Sequence, residues 1–152
     1  HSLVPFSRTH EAEARALVNT WMQNRLQTIP DGSFETFVYN IEMERKAIQR
    51  AITLYDQLGL EGLSLFIDGK LEGFTFGERL NRDVANVLIE KTNFNIQGAA
   101  QYLFREFSKV FADCTYINVG DDLGFENLRR VKMSYRPAMF GEKIILRRLL
   151  PE

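Results

Sequence analysis

The strongest constraint on the fold is a tight turn, Asp68-Gly69-Lys70, between two apolar stretches of similar length. The stretches are Gly62–Ile67 and Leu71–Glu78, and an Asp-Gly pair between such runs is typical of a β-hairpin. A second polar turn, Asn81-Arg82-Asp83, precedes another apolar stretch, Val84–Glu90. We therefore expect an antiparallel meander of three strands in the middle of the chain.

Two helices are predicted before the meander, because apolar residues recur there at helical spacing. The first has Thr9 as its N-cap and an apolar stripe of Ala14, Leu17, Val18, Trp21 and Met22. A turn over residues 29–33 follows, and Ser33 or the residues just after it open the second helix, which Gly59 terminates. The stripe of the second helix is Phe37, Ile41, Ile48, Ile52, Tyr55 and Leu58. Residues 1–8, which include Pro5, are expected to be a tail or linker.

The rest of the chain alternates between helix and strand. We expect a helix over Gln97–Phe111, a strand over Thr115–Val119, a basic helix over Leu128–Pro137 that the proline ends, and a last strand over Lys143–Leu149. Helix, helix, meander, helix, strand, helix, strand is the element order of the GNAT acyltransferase fold. The prediction is thus an α/β (α+β) domain over residues 9–152. Its sheet is mixed, mainly antiparallel and flanked by helices, with a splayed central parallel strand pair.

Composition narrows the class of protein. The 152 residues are 45% hydrophobic and 26% charged, which is ordinary for one globular domain. With 19 Lys and Arg against 20 Asp and Glu, the net charge is −1, so contact with nucleic acid or anionic lipid would need a local patch. A single cysteine, Cys114, together with no signal peptide and no long apolar run, predicts a cytoplasmic domain without a transmembrane segment.

A more specific resemblance is carried by Phe74–Leu80, Ile89-Glu90-Lys91, Tyr116-Ile117-Asn118, Asp122-Leu123-Gly124 and Leu128–Pro137. Together these segments resemble an uncharacterised bacterial family related to the C-terminal domain of phosphatidylglycerol lysyltransferases, whose members usually carry two GNAT-like halves. The resemblance covers about Leu58–Leu149 well, and this chain resembles the second half. It implies the N-terminal GNAT-like half of the same protein as a partner, in keeping with a chain that begins at His1 rather than methionine.

The resemblance also implies a cofactor and a segment to bind it. Gln97-Gly98-Ala99-Ala100 stands where GNAT domains hold the pyrophosphate of coenzyme A or acyl-CoA. Small residues at a helix N-terminus leave backbone N–H groups open to phosphate oxygens. Only one glycine is present here, and the alternative is a helix start made small for packing against the sheet.

Polar and basic side chains follow the strand Thr115–Val119, at the kind of strand end where ligands bind in open α/β sheets. They include Asn118, Asp122 and a basic cluster of Arg129, Arg130, Lys132 and Arg136. On a helix, Arg129 and Lys132 share a face, and Arg136 lies one turn beyond Lys132. The resemblance implies that the cluster contacts a phosphate of an anionic lipid headgroup or of an aminoacyl-tRNA. The alternative is a solvated helix face.

Two residues are candidates for acid–base chemistry. Glu90, on the strand beside the expected splay, is the candidate general base, and the alternative is a solvated acid at a strand edge. Tyr135 follows the basic helix, where GNAT enzymes often place a general acid for the leaving thiolate, and the alternative is a core tyrosine bound to backbone. Because His1, His10 and Cys114 lack metal-ligand spacing, no metal site is expected.

The chain departs from the family pattern at Val119-Gly120-Asp121, where the family generally has Arg-Glu and then an acid or amide. Two hypotheses follow. The first is an acyltransferase domain that moves an acyl or aminoacyl group from acyl-CoA or aminoacyl-tRNA to a lipid headgroup or a small amine or hydroxyl acceptor. The second, which the departure favours, is a non-catalytic structural or ligand-binding half of a tandem GNAT-like protein.

Overall fold

The computed structural model describes residues 1–27, 34–142 and 144. It divides into two compact units, His1–Gly120 and Asp121–Glu152. The predicted turn over residues 29–33, with Ser33, and the predicted last strand over Lys143–Leu149 lie outside the described residues, apart from Ile144.

The first unit holds a mixed sheet with helices on both faces. Its elements in chain order are β1 (Ser2–Pro5), α1 (Glu11–Leu26), α2 (Phe34–Thr53), β2 (Glu61–Ile67), β3 (Lys70–Arg79), β4 (Val84–Thr92), α3 (Ala99–Ser108) and β5 (Tyr116–Asn118). The strand order follows the chain, from β1 to β5. All neighbours are antiparallel except β4 and β5, which are parallel.

The predicted hairpin between β2 and β3 is confirmed. Asp68 and Gly69 have φ angles of 51° and 77°, the left-handed values that a tight hairpin turn requires. The following turn before β4 is held by the side chain of Asn81, whose Oδ1 accepts hydrogen bonds from the backbone N–H groups of Asp83 and Val84. Local turn chemistry therefore fixes the meander.

The core forms on both faces of β3, whose sequence alternates small and large residues. Phe74 and Phe76 are fully buried in a cluster that includes Val18 of α1 together with Ile48 and Ile52 of α2. Gly73 and Gly77 face α3. A Cβ atom on Gly73 would lie 3.3 Å from Leu103, and one on Gly77 would lie 2.9 Å from the ring of Phe107. The glycines thus let α3 approach the sheet closely.

The expectation of a tail over residues 1–8 is wrong, because residues 2–5 form β1 at the edge of the sheet. An edge position tolerates Pro5, which has no backbone N–H to donate. Phe6 follows and is buried in the core. Thr9 is not a helix N-cap either. It lies inside a 3-10 turn, Arg8–His10, that leads into α1.

Three helices differ from prediction at their ends. α2 ends at Thr53 rather than near Gly59, so Leu58 lies outside it and is exposed. Gln97 precedes α3, which begins at Ala99 and passes at Ser108 into a 3-10 turn, Lys109–Phe111. In the second unit, α4 spans Glu126–Ser134 and thus ends before Pro137. None of the described helices has the length and apolarity needed to cross a membrane.

Candidate functional site

The half of β4 beyond Asn86 has an unusual environment. β4 pairs with β5 only through its first three residues, ending where Asn86 meets Asn118. From Val87 to Thr92, that edge of β4 has no strand partner among the described residues. Leu88 is an extra residue at this point, because the register with β3 passes directly from Val87 to Ile89. Such bulges are frequent next to functional sites, and an unpaired edge offers backbone hydrogen bonds to a ligand.

Glu90, the predicted general base, lies in this half of β4, which pairs with β3 on one edge and is open on the other within the described residues. Its neighbours Ile89 and Lys91 pack towards α1 and α2, so the side chain of Glu90 points to the opposite face, which α3 covers. Its Oε2 atom is buried and has no hydrogen-bond partner among the described residues. Burial raises the pKa of Glu90 from 4.5 to about 7, against a smaller opposing effect of the Lys91 charge. A carboxyl group with this pKa can exchange protons at neutral pH.

Lys91, which follows Glu90, was not predicted as a site residue. Its Nζ atom donates to Oε1 of Glu44 at 2.7 Å and lies 3.9 Å from the centroid of the Trp21 ring. Trp21 belongs to α1 and Glu44 to α2. A pocket of about 320 Å³ beside this pair is lined by Glu44, Ala47, Ile48, Leu88, Ile89, Glu90 and Lys91. Only the tertiary fold brings these residues together, so no local sequence signal could have identified the group.

The predicted phosphate-binding segment, Gln97-Gly98-Ala99-Ala100, forms the N-terminus of α3. Gln97 and Gly98 are exposed, and Gly98 has a φ angle of 82°. A Cβ atom on Gly98 would meet nothing within 4 Å, so the backbone conformation rather than crowding requires glycine there. The N–H of Ala99 bonds to Ile96, whereas those of Ala100 and Gln101 have no partner among the described residues. The segment can therefore donate to an anion.

Asn118, a predicted ligand-binding residue at the end of β5, shapes its own turn. Its Oδ1 atom accepts a hydrogen bond of 2.8 Å from the backbone N–H of Gly120. Gly120 has a φ angle of 70°, which glycine adopts without strain. The Val119-Gly120 pair that departs from the family pattern is therefore part of a turn held by the side chain of Asn118.

In the second unit, Asp122 joins the loop before α4 to the helix itself. Its Oδ1 atom accepts from the N–H of Gly124, and its Oδ2 atom accepts from Nε of Arg129 at 2.7 Å. The Arg129 guanidinium, followed by the Gly124 N–H, holds the pKa of Asp122 below its usual value. Asp122 and Arg129, both predicted to bind substrate or phosphate, thus neutralise each other in this state.

Lys132 and Tyr135 lie at the C-terminal end of α4. The Nζ atom of Lys132 donates to the carbonyl oxygen of Asp121 at 2.7 Å, and burial lowers the pKa of Lys132. Tyr135 caps the helix, with its backbone N–H bonded to Lys132. The prediction that Arg136 lies one helical turn beyond Lys132 is wrong. α4 ends at Ser134, so Arg136 lies outside the helix, where its φ angle is 53°.

The predicted site residues therefore fall into two groups. Glu90, Asn118 and the Gln97–Ala100 segment belong to the first unit, and Asp122, Arg129, Lys132 and Tyr135 belong to the second. In the second group, Asp122 contacts Arg129 directly. Within the described residues, no group of three or more His, Cys, Asp or Glu side chains is arranged to hold a metal ion.

Comparison with solved structures defines the fold. An N-acetyltransferase for ribosomal-protein alanine from Brucella melitensis matches with a TM-score of 0.65 and 14% identity, over 96% of this chain and 97% of that chain. An aminoglycoside N-acetyltransferase in complex with CoA matches with a TM-score of 0.58 and 13% identity, over 99% and 100% of the two chains. The domain thus has the GNAT acyltransferase fold, as predicted from the element order.

The family follows from the sequence. The model of the family described as phosphatidylglycerol lysyltransferase, C-terminal, matches residues 1–147, so the chain belongs to that family. A conserved protein of unknown function from Bacteroides thetaiotaomicron is 30% identical with a TM-score of 0.79, over 91% of this chain. The chain spans only 44% of the length of that relative. No protein of curated function matches the sequence at a significant level.

The described residues fit a coenzyme A-like ligand in three respects. The N–H groups of Ala100 and Gln101 can donate to a phosphate, and the edge of β4 beyond Asn86 can pair with an amide-bearing chain. The third is the unpartnered Oε2 atom of Glu90, in the same half of β4.

Proposed function

We propose that this domain transfers an acyl or aminoacyl group from acyl-CoA or aminoacyl-tRNA to an amine or hydroxyl group, such as that of a small molecule or a lipid headgroup. The single observation that carries the proposal is the carboxyl group of Glu90, which has a pKa of about 7 and a buried Oε2 atom with no hydrogen-bond partner among the described residues. It lies in the half of β4 that pairs with β3 but, within the described residues, has no strand on its other edge. The fold and the family support the same class of reaction.

The chemistry assigned to Glu90 is proton removal from the acceptor. An ammonium or hydroxyl group must lose a proton as its nitrogen or oxygen forms the new bond to the acyl carbon, while the bond from that carbon to sulfur or to the ribose oxygen breaks. A carboxylate with a pKa of about 7 is about half ionised at neutral pH, so it can accept that proton. Backbone N–H groups on the open edge of β4 are suited to polarise the acyl carbonyl.

The remaining candidate residues keep their predicted roles as parts of the proposal. The α3 N-terminus would bind phosphates of the donor, and Lys132 with Arg129 would contact a phosphate of the donor or of a lipid headgroup. Tyr135, exposed in part at the end of α4, would donate a proton to the leaving group. The departing thiolate or ribose alkoxide would then leave as a neutral thiol or hydroxyl.

The experiment that tests the proposal measures donor binding and transfer with the longest natural form of the protein. Calorimetric titrations with coenzyme A, acetyl-CoA and lysyl-tRNA are compared, and release of free thiol or of deacylated tRNA reports transfer. We expect at least one donor to bind, and Glu90→Gln to bind it equally well while transferring more slowly. Binding of none of the three donors would contradict the proposal.

A second candidate function rests on the Val119-Gly120 departure and on the length of the Bacteroides relative, of which this chain spans 44%. In this alternative, the domain is a non-catalytic half that packs against an N-terminal GNAT-like half of the same protein. The two functions predict opposite results for Glu90→Gln in the whole protein. Transfer at the full wild-type rate by that variant would place the chemistry in the other half.

A further inference from the structure

Among the described residues, the half of β4 that carries Glu90 has a strand neighbour along one edge only. β3 pairs with β4 up to Thr92, but on the other side the pairing with β5 stops at Asn86. A strand end with one paired edge opens more readily than a strand inside a sheet. Any group that must hold a fixed position on this half of β4 therefore depends on contacts from a face of the sheet.

Lys91 supplies such contacts from the face opposite to Glu90. Its ammonium group lies 3.9 Å from the centroid of Trp21, on α1, and 2.7 Å from Glu44, on α2. The side chain of Lys91 is only 11% exposed, whereas the ion-paired side chains of Lys70 and Lys109 are 73% and 64% exposed. Cation–π and ionic contacts gain strength when they are removed from water, so Lys91 is the strongest lysine anchor among these three.

We infer that Lys91 is a positioning residue for Glu90, because its ammonium group clamps the unpaired half of β4 to α1 and α2. The inference rests on the proposed role of Glu90 as general base. Adjacent residues of a strand point to opposite faces, so Lys91 anchors the backbone from one side while the Glu90 carboxyl group occupies the other. Fixing the base to within a fraction of an ångström is what acid–base catalysis requires of such a contact.

The test compares three variants. Lys91→Met keeps the aliphatic length but removes the charge, Lys91→Arg keeps a cation that can stack on Trp21, and Lys109→Met removes the cation of another ion pair as a matched control. Amide hydrogen exchange of Ile89–Thr92 is measured by NMR for each variant, together with melting temperature and, where transfer is detected, kcat and the donor KM.

We expect exchange at Ile89–Thr92 to rise about tenfold in Lys91→Met, with little change in the rest of the sheet, because a partly buried cation–π contact is lost. Lys91→Arg should restore most of the protection, and Lys109→Met should leave it unchanged. The kcat of Lys91→Met should fall about tenfold, with a donor KM within about twofold of the wild type.

Exchange that rises uniformly through the sheet, or equally in Lys109→Met, would show that Lys91 only adds global stability and would overturn the inference. The exchange result does not need activity, so it separates this inference from the proposed function. If Glu90→Gln transfers normally, Glu90 is not the general base, but a local effect of Lys91→Met on exchange still supports the clamp. If Lys91→Met shows no local effect on exchange while Glu90→Gln is inactive, the inference about Lys91 is wrong and the proposed function stands.

Discussion

Thr75 and Glu90 are direct partners across β3 and β4, yet the hydroxyl group of Thr75 donates to the carbonyl oxygen of Ile89 at 3.0 Å rather than to Glu90. Thr75 is fully buried, and its hydrogen bond ties the backbone of β4 to β3 beside the acid. The Glu90 carboxyl group therefore lies beside a hydroxyl group that already donates elsewhere, and its Oε2 atom is buried without a hydrogen-bond partner among the described residues. This arrangement explains why the pKa of Glu90 is raised to about 7.

Glu90 should make the stability of the protein depend on pH. Because its folded-state pKa of about 7 lies above the ordinary value of 4.5, the folded state binds this proton more tightly than the unfolded state. The stabilisation that this tighter proton binding gives the folded state is fully present below about pH 4.5 and is lost as the pH rises through about 7. At pH 8, Glu90→Gln should raise the free energy of unfolding by on the order of 3 kcal/mol.

Urea denaturation at pH 4.5 and at pH 8 measures this effect. The matched control is Glu61→Gln, which removes one carboxylate from an exposed position at the start of β2 and should change stability by no more than about 0.5 kcal/mol at either pH. A Glu90→Gln variant that is less stable than the wild type at pH 8 would mean that the carboxylate has a partner in the folded state.

The rate of acyl transfer should follow the same group. If Glu90 accepts the proton, kcat/KM rises with pH through a pKa of about 7 and then levels off. Glu90→Gln should lose this limb of the profile together with roughly 10²- to 10⁴-fold of the rate. A pH–rate profile of the variant that still bends near pH 7 would assign the bend to the acceptor or to another residue.

Lys132→Ala should weaken the binding of anionic ligands and leave the fold intact. The side chain donates to the backbone oxygen of Asp121, and the loss of a hydrogen bond of this kind should lower the free energy of unfolding by about 1 kcal/mol. The dissociation constant for coenzyme A or inorganic pyrophosphate should rise about tenfold, because a charge-assisted hydrogen bond is lost. Calorimetric titration measures binding, and thermal denaturation measures stability.

Arg130→Ala is the control for that experiment, since it removes an exposed positive charge from the same helix. We expect it to change the dissociation constant by less than about threefold. If Lys132→Ala instead lowers the melting temperature strongly and binds as well as Arg130→Ala, the role of Lys132 is to hold its loop.

Two glycines should respond differently to replacement by alanine. A Cβ atom on Gly77 would lie 2.6 Å from the backbone oxygen of Asn86 and 2.9 Å from the Phe107 ring, so Gly77→Ala should cost about 3 kcal/mol or more. Gly98→Ala meets no neighbour within 4 Å and bears only the strain of its φ angle, about 1 kcal/mol. Urea denaturation gives both values, and equal costs would argue against close packing of α3 on β3.

The parts of the fold that sequence predicted are those that local chemistry determines. The Asp68-Gly69 turn and the Asn81 side chain define the meander within a few residues, whatever the rest of the chain does. β1 was missed because an edge strand of four residues containing Pro5 has little local signal. Its pairing depends on β2, which lies far along the chain.

The sequence predicts which residues belong to the candidate site better than it predicts what surrounds them in the fold. The sequence predicts Glu90 as a carboxylate beside a splay, but the burial of its side chain depends on α3, which packs on that face. The contact between Lys91 and Trp21 joins β4 to α1. These two elements are separated along the chain by α2, β2 and β3, so no spacing rule could have indicated the contact. The salt bridge between Asp122 and Arg129 likewise depends on how the loop folds back on α4.

The extra residue at Leu88 changes the parity of β4. Ala85 and Glu90 are an odd number of positions apart, so an uninterrupted strand would show them on opposite faces. Here both face α3, because Leu88 is left out of the register with β3. Deletion of Leu88 would therefore preserve the face of Glu90, whereas straightening the strand with Leu88 retained would exchange the positions of the acid and Lys91. One residue can thus be present or absent at this bulge in relatives while the Glu90 side chain stays on the same face of the sheet.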